Sequence, residues 1–241
     1  MIKYNSMARY TGILISRNDG TVRAEDLTGP LRQANNKRYQ LLKRSFDVIM
    51  STFVILGVLS WLTPILAILI KLNSKGPVFF IQERVGKDGL SFHCYKFRTM
   101  RPNGDADRLQ AMQNDVRITG IGNVLRKSNL DELPQFFNVL AGQMSLVGPR
   151  PHMLADCRRF TQLIPGYAFR NQVTPGITGL AQIKGFSGPA SDKESIFGRY
   201  QWDAFYVRNA NFLLDMRIIR KTISQLFGYW FIPLSLIFTR K

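Results

Sequence analysis

Cysteine and histidine are scarce in this chain, two of each in 241 residues. Cys94 and Cys157 are too few for a disulfide framework and show no metal-ligand spacing, so reduced thiols in a cytosolic setting are expected. His93 and His152 are too isolated to form a metal site or a triad; His93 reads as structural, and His152 merely lies beside a Gly-Pro-Arg-Pro turn. Acid is the other shortage: 16 Asp and Glu face 33 Lys and Arg, a formal net charge of +17. That excess attracts nucleic acid, anionic lipid or anionic small molecules, and charge alone does not choose among them. Met1 to Gln40 lacks an apolar h-region, so no cleavable signal peptide is expected there. Neither an internal repeat nor a low-complexity tract is present. The length suits one domain with appendages better than two equal domains.

What the chain does have is a long apolar run. Val48 to Ile70 carries no charged residue over roughly 23 positions, about 35 Å as a helix, enough to meet a hydrocarbon core. Thr63-Pro64 interrupts the run, where proline removes a backbone donor and kinks a helix. Both flanks are basic, with Lys37, Arg38, Lys43 and Arg44 before it and Lys71 and Lys75 after it. The positive-inside tendency then asks both ends to stay on the cytoplasmic side. A spanning helix and a re-entrant one that dips in and returns both fit these features.

The remainder reads as a mixed catalytic-sized domain. Residues 1–42 form a polar extension. Val78-Phe79-Phe80-Ile81 and Ser91–Phe97 flank the turn Gly86-Lys87-Asp88-Gly89 and predict a β-hairpin. Asp105–Asn114 and Leu133–Leu140 read as helical, Pro165–Pro189 as loop, and Arg199–Leu226 as one or two amphipathic helices. The apolar stretch Leu226–Phe238 is short for spanning; an interfacial segment and a helix packed on the domain both fit it. The expected fold class is α+β, divided into an extension (1–42), a membrane helix (43–74), a catalytic domain (75–225) and a tail (226–241).

The sharpest chemical signal is an acidic pair in a basic chain. Asp131 and Glu132 sit in Ser128-Asn129-Leu130-Asp131-Glu132-Leu133-Pro134-Gln135, shortly before Gly148-Pro149-Arg150-Pro151. Paired acids in phosphate-attracting surroundings point to metal-assisted chemistry on a phosphorylated substrate. A plainer reading exists: Ser128-x-x-Asp131 also fits a capping box, in which the carboxylate serves a helix start. Arg150 stands between two prolines with restricted backbones, a stiff platform for bidentate phosphate recognition. Lys96 and Arg98 add charge in Lys96-Phe97-Arg98-Thr99-Met100. Gly176, Thr178 and Gly179 lie in a loop that either contacts a nucleotide or is a structural turn.

Five motifs occur in order: Phe80–Gly86, Lys96–Met100, Asp131–Gln135, Gly148–Pro151 and Thr174–Leu180. Together they resemble the bacterial sugar transferases that act on polyprenol phosphate, the monotopic phosphoglycosyl transferases, over about residues 43–222. The resemblance implies a Pro-broken re-entrant helix at Thr63-Pro64 and a catalytic domain on the cytoplasmic face of the bacterial inner membrane. It implies transfer of a sugar 1-phosphate from a UDP-sugar to undecaprenyl phosphate, with UMP released, at the first membrane step of exopolysaccharide, capsule or glycoconjugate assembly. It assigns the covalent nucleophile to Asp131, with Glu132 beside it and Mg²⁺ at the pair, and it associates Arg126 with substrate phosphate. Asp203, Tyr206, Asn209, Asp215, Lys221 and Thr222 keep family-like spacing. Val116 departs from the family, which commonly has proline there, and the N-terminal membrane helices of larger members are absent. The implied partners are the donor, the lipid acceptor and the bilayer. A nucleic-acid partner is not expected, since no nucleic-acid module is recognisable and the apolar run would go unexplained. A silent membrane scaffold of an assembly complex is the alternative.

Overall fold

The computed structural model describes residues 36–104, 115–188 and 192–230. The helix expected at Asp105–Asn114, most of the 1–42 extension, part of the Ser187–Glu194 loop and the tail beyond 230 lie outside those residues.

The apolar run folds into one helix, Lys37–Asn73. Its first half, α1 (Lys37–Val54), begins where Asn36 Oδ1 accepts from the Arg38 N–H at 2.9 Å, satisfying an end donor that the helix cannot. A π turn, Ile55–Leu59, joins it to α2 (Ser60–Asn73). Thr63 and Pro64 lie within α2, and the irregular turn sits just before them. Pro64 offers no N–H and its ring crowds the carbonyl four residues back, at Ser60. The ladder widens there: the Ser60 N–H reaches Ile55 O, Ser60 Oγ donates to Leu56 O (2.6 Å) and Trp61 Nε1 to Gly57 O (2.8 Å). One edge, Leu59, Leu66 and Ile70, is buried with Phe97 and Leu125. Phe53, Leu56, Trp61, Ile65, Ile68 and Leu72 remain exposed. By length and composition this helix is long enough to cross a membrane.

Both ends of that helix are bonded to the same domain. Near its start, Lys43 Nζ donates to Val147 O and to Asp215, both at 2.9 Å. Asp47 Oδ1 accepts from the Leu146 N–H at 3.0 Å. Arg44 donates to Val139 O (2.6 Å) and Leu140 O (2.8 Å), a cation at the C-terminal end of α4 (Gln135–Leu140). Beyond its end, Arg98 donates to Ser74 O (2.7 Å) and Lys75 O (2.6 Å).

The hairpin forms as expected, β1 (Phe79–Val85) against β2 (Ser91–Phe97) with Gln82 opposite Cys94. Its turn places Asp88 and Gly89 at positive φ, 55° and 81°, which Gly adopts freely and Asp tolerates. Next come α3 (Gly120–Ser128), a 3₁₀ turn at Leu130–Glu132, then α4. Pro165–Pro189 is more ordered than the loop its Gly and Pro content predicts. It holds a 3₁₀ turn at Tyr167–Gln172, strand β4 (Gly176–Thr178) and a short helix α6 (Leu180–Ile183). Strand β4 runs parallel to β3 (Ser145–Val147). Its glycines serve close packing: a Cβ at Gly176 or Gly179 would strike the backbone of Gly148.

After α5 (Leu154–Leu163), two helices close the domain, α7 (Lys193–Asn209) and α8 (Phe212–Trp230). Both were expected to be amphipathic, and α7 is not. It buries Ile196, Trp202, Ala204 and Val207 together with Arg199, Gln201 and Asp203, because polar partners await inside. The main core joins Phe92, Val139, Met144, Val147, Trp202, Tyr206 and Ile218. Asp215 stands at its edge, accepting from Tyr39 Oη (2.9 Å), Lys43 Nζ and Tyr206 Oη (2.8 Å). Thr222 and Thr178 share a hydroxyl hydrogen bond at 2.7 Å. Of the family-spaced residues, Tyr206, Asp215 and Thr222 thus hold elements together. Val116, where the family commonly has proline, is 93% exposed in a turn closed by the Ile118 N–H on Asp115 O at 3.0 Å.

Candidate active site

A cleft of about 620 Å³ opens beside the hairpin, lined among others by Lys96, Arg126, Asp131, Glu132, Arg150 and Arg199. Asp131 reaches it through a local device. Ser128 ends α3 with its Oγ turned back to Val124 O (2.9 Å) and Leu125 O (3.1 Å). Asn129 then takes left-handed geometry, φ 57°. A 3₁₀ turn follows, so Ser128 caps no helix start and the capping-box reading of Asp131 falls away. Adjacent residues on such a turn point apart, and the two acids meet opposite surroundings.

Glu132 is saturated with cations. Arg150 grips it through both nitrogens, Nη1 to Oε2 at 3.0 Å and Nη2 to Oε1, and Lys96 Nζ donates to Oε1 at 2.6 Å. Burial acts to raise the Glu132 pKa, and Arg150 and Lys96 overcome it, holding the carboxyl well below its ordinary value. Asp131 is buried too, 8% exposed, yet its carboxylate makes no hydrogen bond or ion pair among the described residues. Burial pushes its pKa up to about 6; Glu132 adds to the rise, while Lys96, Arg126 and Arg150 oppose it. A desolvated, unpartnered carboxylate facing a cationic cleft is equipped to attack an electrophile.

The expected site residues separate into three groups. Glu132, Lys96 and Arg150 meet directly, and Asp131 lines the same cleft beside them without a hydrogen bond or ion pair among the described residues. Arg126, in the last turn of α3, lines the cleft with Nε on Thr99 Oγ1 at 2.8 Å. Arg98 also lines the cleft, but its guanidinium is held by the Ser74 and Lys75 carbonyls. Gly176, Thr178 and Gly179 do not line it. They sit behind the Arg150 turn, where the Gly148 N–H donates to Thr178 O (2.9 Å) and the Gly176 N–H to Pro149 O (3.1 Å).

Residue pattern alone misses the support beneath Arg150. Arg170, 2% exposed, donates Nε to Asp203 Oδ2 at 2.9 Å and Nη2 to the Arg150 carbonyl at 2.6 Å. It also misses Arg84 and Arg199, which line the same cleft. His152, 4% exposed, contacts Tyr167 Oη (2.7 Å) and the Arg199 guanidinium (3.4 Å). Burial and the surrounding arginines keep its pKa well below the usual value, so it stands neutral. The available signal was spacing: Arg84 lies in the first motif, Arg199 and Asp203 one helical turn apart.

A free carboxylate beside a clamped one, ringed by guanidinium groups, has the chemistry to bind and orient phosphate. The chain belongs to the bacterial sugar transferase family, whose model matches residues 38–229. It is 44% identical over 186 residues to a UDP-glucose:undecaprenyl-phosphate glucose-1-phosphate transferase of Klebsiella pneumoniae, covering 77% of this chain and 40% of that protein. A UDP-N-acetylgalactosamine-undecaprenyl-phosphate N-acetylgalactosaminephosphotransferase of Aeromonas hydrophila is 43% identical over 189 residues, 78% of this chain and 44% of the relative. The exopolysaccharide production protein PSS of Rhizobium leguminosarum is 44% identical over 188 residues, 76% of this chain and 94% of the relative. The chain thus spans less than half the length of the first two and nearly all of the third.

Proposed function

We propose that this protein transfers a sugar 1-phosphate from a UDP-sugar to undecaprenyl phosphate, as an early membrane step in exopolysaccharide or related glycoconjugate assembly. The observation that carries this reading is the unpartnered Asp131 carboxylate beside Arg126 and the Arg150–Glu132–Lys96 cluster. An Asp131 oxygen attacks the sugar-bearing phosphorus. The bond from that phosphorus to the bridging oxygen breaks, and UMP leaves with the electron pair. The acceptor's phosphate oxygen then attacks the same phosphorus, the Asp131–phosphorus bond breaks, and the carboxylate is restored. Two displacements replace one difficult one. Arg126 and Arg150 orient the phosphoryl oxygens and offset charge as bonds exchange. A scaffold would gain nothing from a buried carboxylate kept without a partner.

The donor set fits Mg²⁺, which favours hard oxygen ligands and takes one or two carboxylates plus substrate phosphates. Asp131 offers a free carboxylate, whereas Glu132 offers only what Arg150 and Lys96 leave open. When bound, Mg²⁺ supplies neutralisation of the phosphoryl charge.

The membrane reading is that Lys37–Asn73 enters the cytoplasmic leaflet of the inner membrane and returns. Its support is the attachment of both helix ends to one domain, the π turn before Pro64, and the exposed apolar side chains between them.

The test is UMP release from a panel of UDP-sugars by detergent-solubilised protein with Mg²⁺ and undecaprenyl phosphate. Release that depends on one sugar, the lipid and Asp131 is expected. Release that persists at the wild-type rate in Asp131→Asn would contradict the assignment.

A further inference from the structure

Arg84 and Arg199 are cations that neither the fold nor the proposed nucleophile uses up. Arg199 is 6% exposed and Arg84 half-buried, and both line the cleft. Among the described residues neither has a carboxylate within ion-pair distance. Their neighbours are neutral acceptors. Arg84 donates Nη1 to Pro151 O at 3.1 Å and Nη2 to Gln82 Oε1; Arg199 donates Nη2 to Gly188 O and approaches the neutral His152 ring. The Nε of each is buried without a hydrogen-bond partner among the described residues. Two guanidinium groups taken out of water with no carboxylate in contact are costly unless an anion comes to them.

Their place in the cleft says which anion. Arg126 reaches Thr99 and feels Asp131 and Asp115 most among nearby charges. Arg84 and Arg199 meet Pro151 and His152, the two residues that follow Arg150. Phosphoryl transfer runs roughly in line, so the leaving oxygen departs opposite the attacking one. A UDP-sugar carries two phosphates, so with Asp131 and Arg126 at the sugar-bearing one, the departing phosphate must meet other cations of the same cleft, and Arg84 and Arg199 line it. We propose that Arg84 and Arg199 form a second phosphate site, which binds the phosphate of the leaving nucleotide. This rests on the donor reading given above.

Equilibrium binding to the full detergent-solubilised chain tests it, with UMP, uridine and farnesyl phosphate as probes. Wild type is expected to bind UMP more tightly than uridine. Arg84→Met and Arg199→Met are each expected to weaken UMP binding by about tenfold or more, as loss of a charged hydrogen bond does, and to leave uridine binding unchanged. If Arg199→Met fails to fold, Arg84→Met and Arg84→Lys carry the test, because neither touches the Gly188 carbonyl. Unchanged UMP affinity in the folded variants would overturn the proposal, as would a wild type that does not prefer UMP to uridine. Loss of farnesyl phosphate binding with UMP untouched would also overturn it, moving the site to the acceptor. The two readings fail separately: Asp131→Asn should abolish turnover and still bind UMP through Arg84 and Arg199.

Discussion

Asp131 and Asp215 are both buried aspartates, and the molecule treats them in opposite ways. Asp215 lies under the long apolar helix with three donors on it, from Tyr39, Lys43 and Tyr206. Asp131 lies in the cleft with none among the described residues. Asp203 belongs with Asp215: it is 1% exposed, and Arg170 donates to its Oδ2 through Nε and Nη2. The difference separates architecture from chemistry. A buried charge with partners fixes how elements sit together, whereas one without partners raises the energy of the folded state and stays available to react.

The largest effect expected from breaking this contrast is on turnover. Asp131→Asn should lower UMP release by about 10⁴-fold or more, since removal of the proposed covalent nucleophile leaves only binding and electrostatic help. Single-turnover kinetics on detergent-solubilised protein measures it. Asp203→Ala should act through stability instead, costing about 3–5 kcal/mol by leaving Arg170 buried and alone. Chemical denaturation reads that loss.

The contrast also predicts a gain. With its folded-state pKa raised to about 6 from 3.8, Asp131 destabilises the protein when ionised. That penalty is fully present above the folded pKa and disappears as pH falls below the unfolded value. Asp131→Asn should therefore stabilise the protein at neutral pH by at most about 3 kcal/mol, and by nothing below about pH 4. Melting curves against pH give the answer; equal stability of both proteins at neutral pH would mean that Asp131 has a partner in solution. The same shift gives the wild-type rate an acid limb near pH 6 in the absence of metal, with activity falling as pH drops through it. Arg44→Ala should have the smallest effect, about 1 kcal/mol, because it removes a cation from the end of α4.

Much of the site was legible in the residues because it depends on local order. Asp131, Glu132 and Arg150 stand in short motifs with restrictive prolines, and the hairpin announces itself by alternation and a turn. Other features depend on distant partners. Nothing near Arg170 in the chain says that it will hold the Arg150 carbonyl, and Asp203 reaches it from another helix. Gly176 and Gly179 read equally well as ligand-contacting or structural until the backbone of Gly148 is seen against them. The polar residues of α7 suggested a solvent face because sequence records polarity and not where a partner waits. The helix irregularity at Ile55–Leu59 carries only Gly57 as a breaker of its own; Pro64, whose ring crowds the Ser60 carbonyl, lies further along.

The central claim is that the free carboxylate of Asp131 becomes covalently phosphorylated. Intact mass spectrometry after incubation with the UDP-sugar that the panel selects, without lipid acceptor, measures this directly. The account predicts a mass increase of one sugar phosphate on the wild type, removed on adding undecaprenyl phosphate and absent from Asp131→Asn. Efficient transfer with no adduct on the wild type, and UMP released only when the lipid is present, would contradict it.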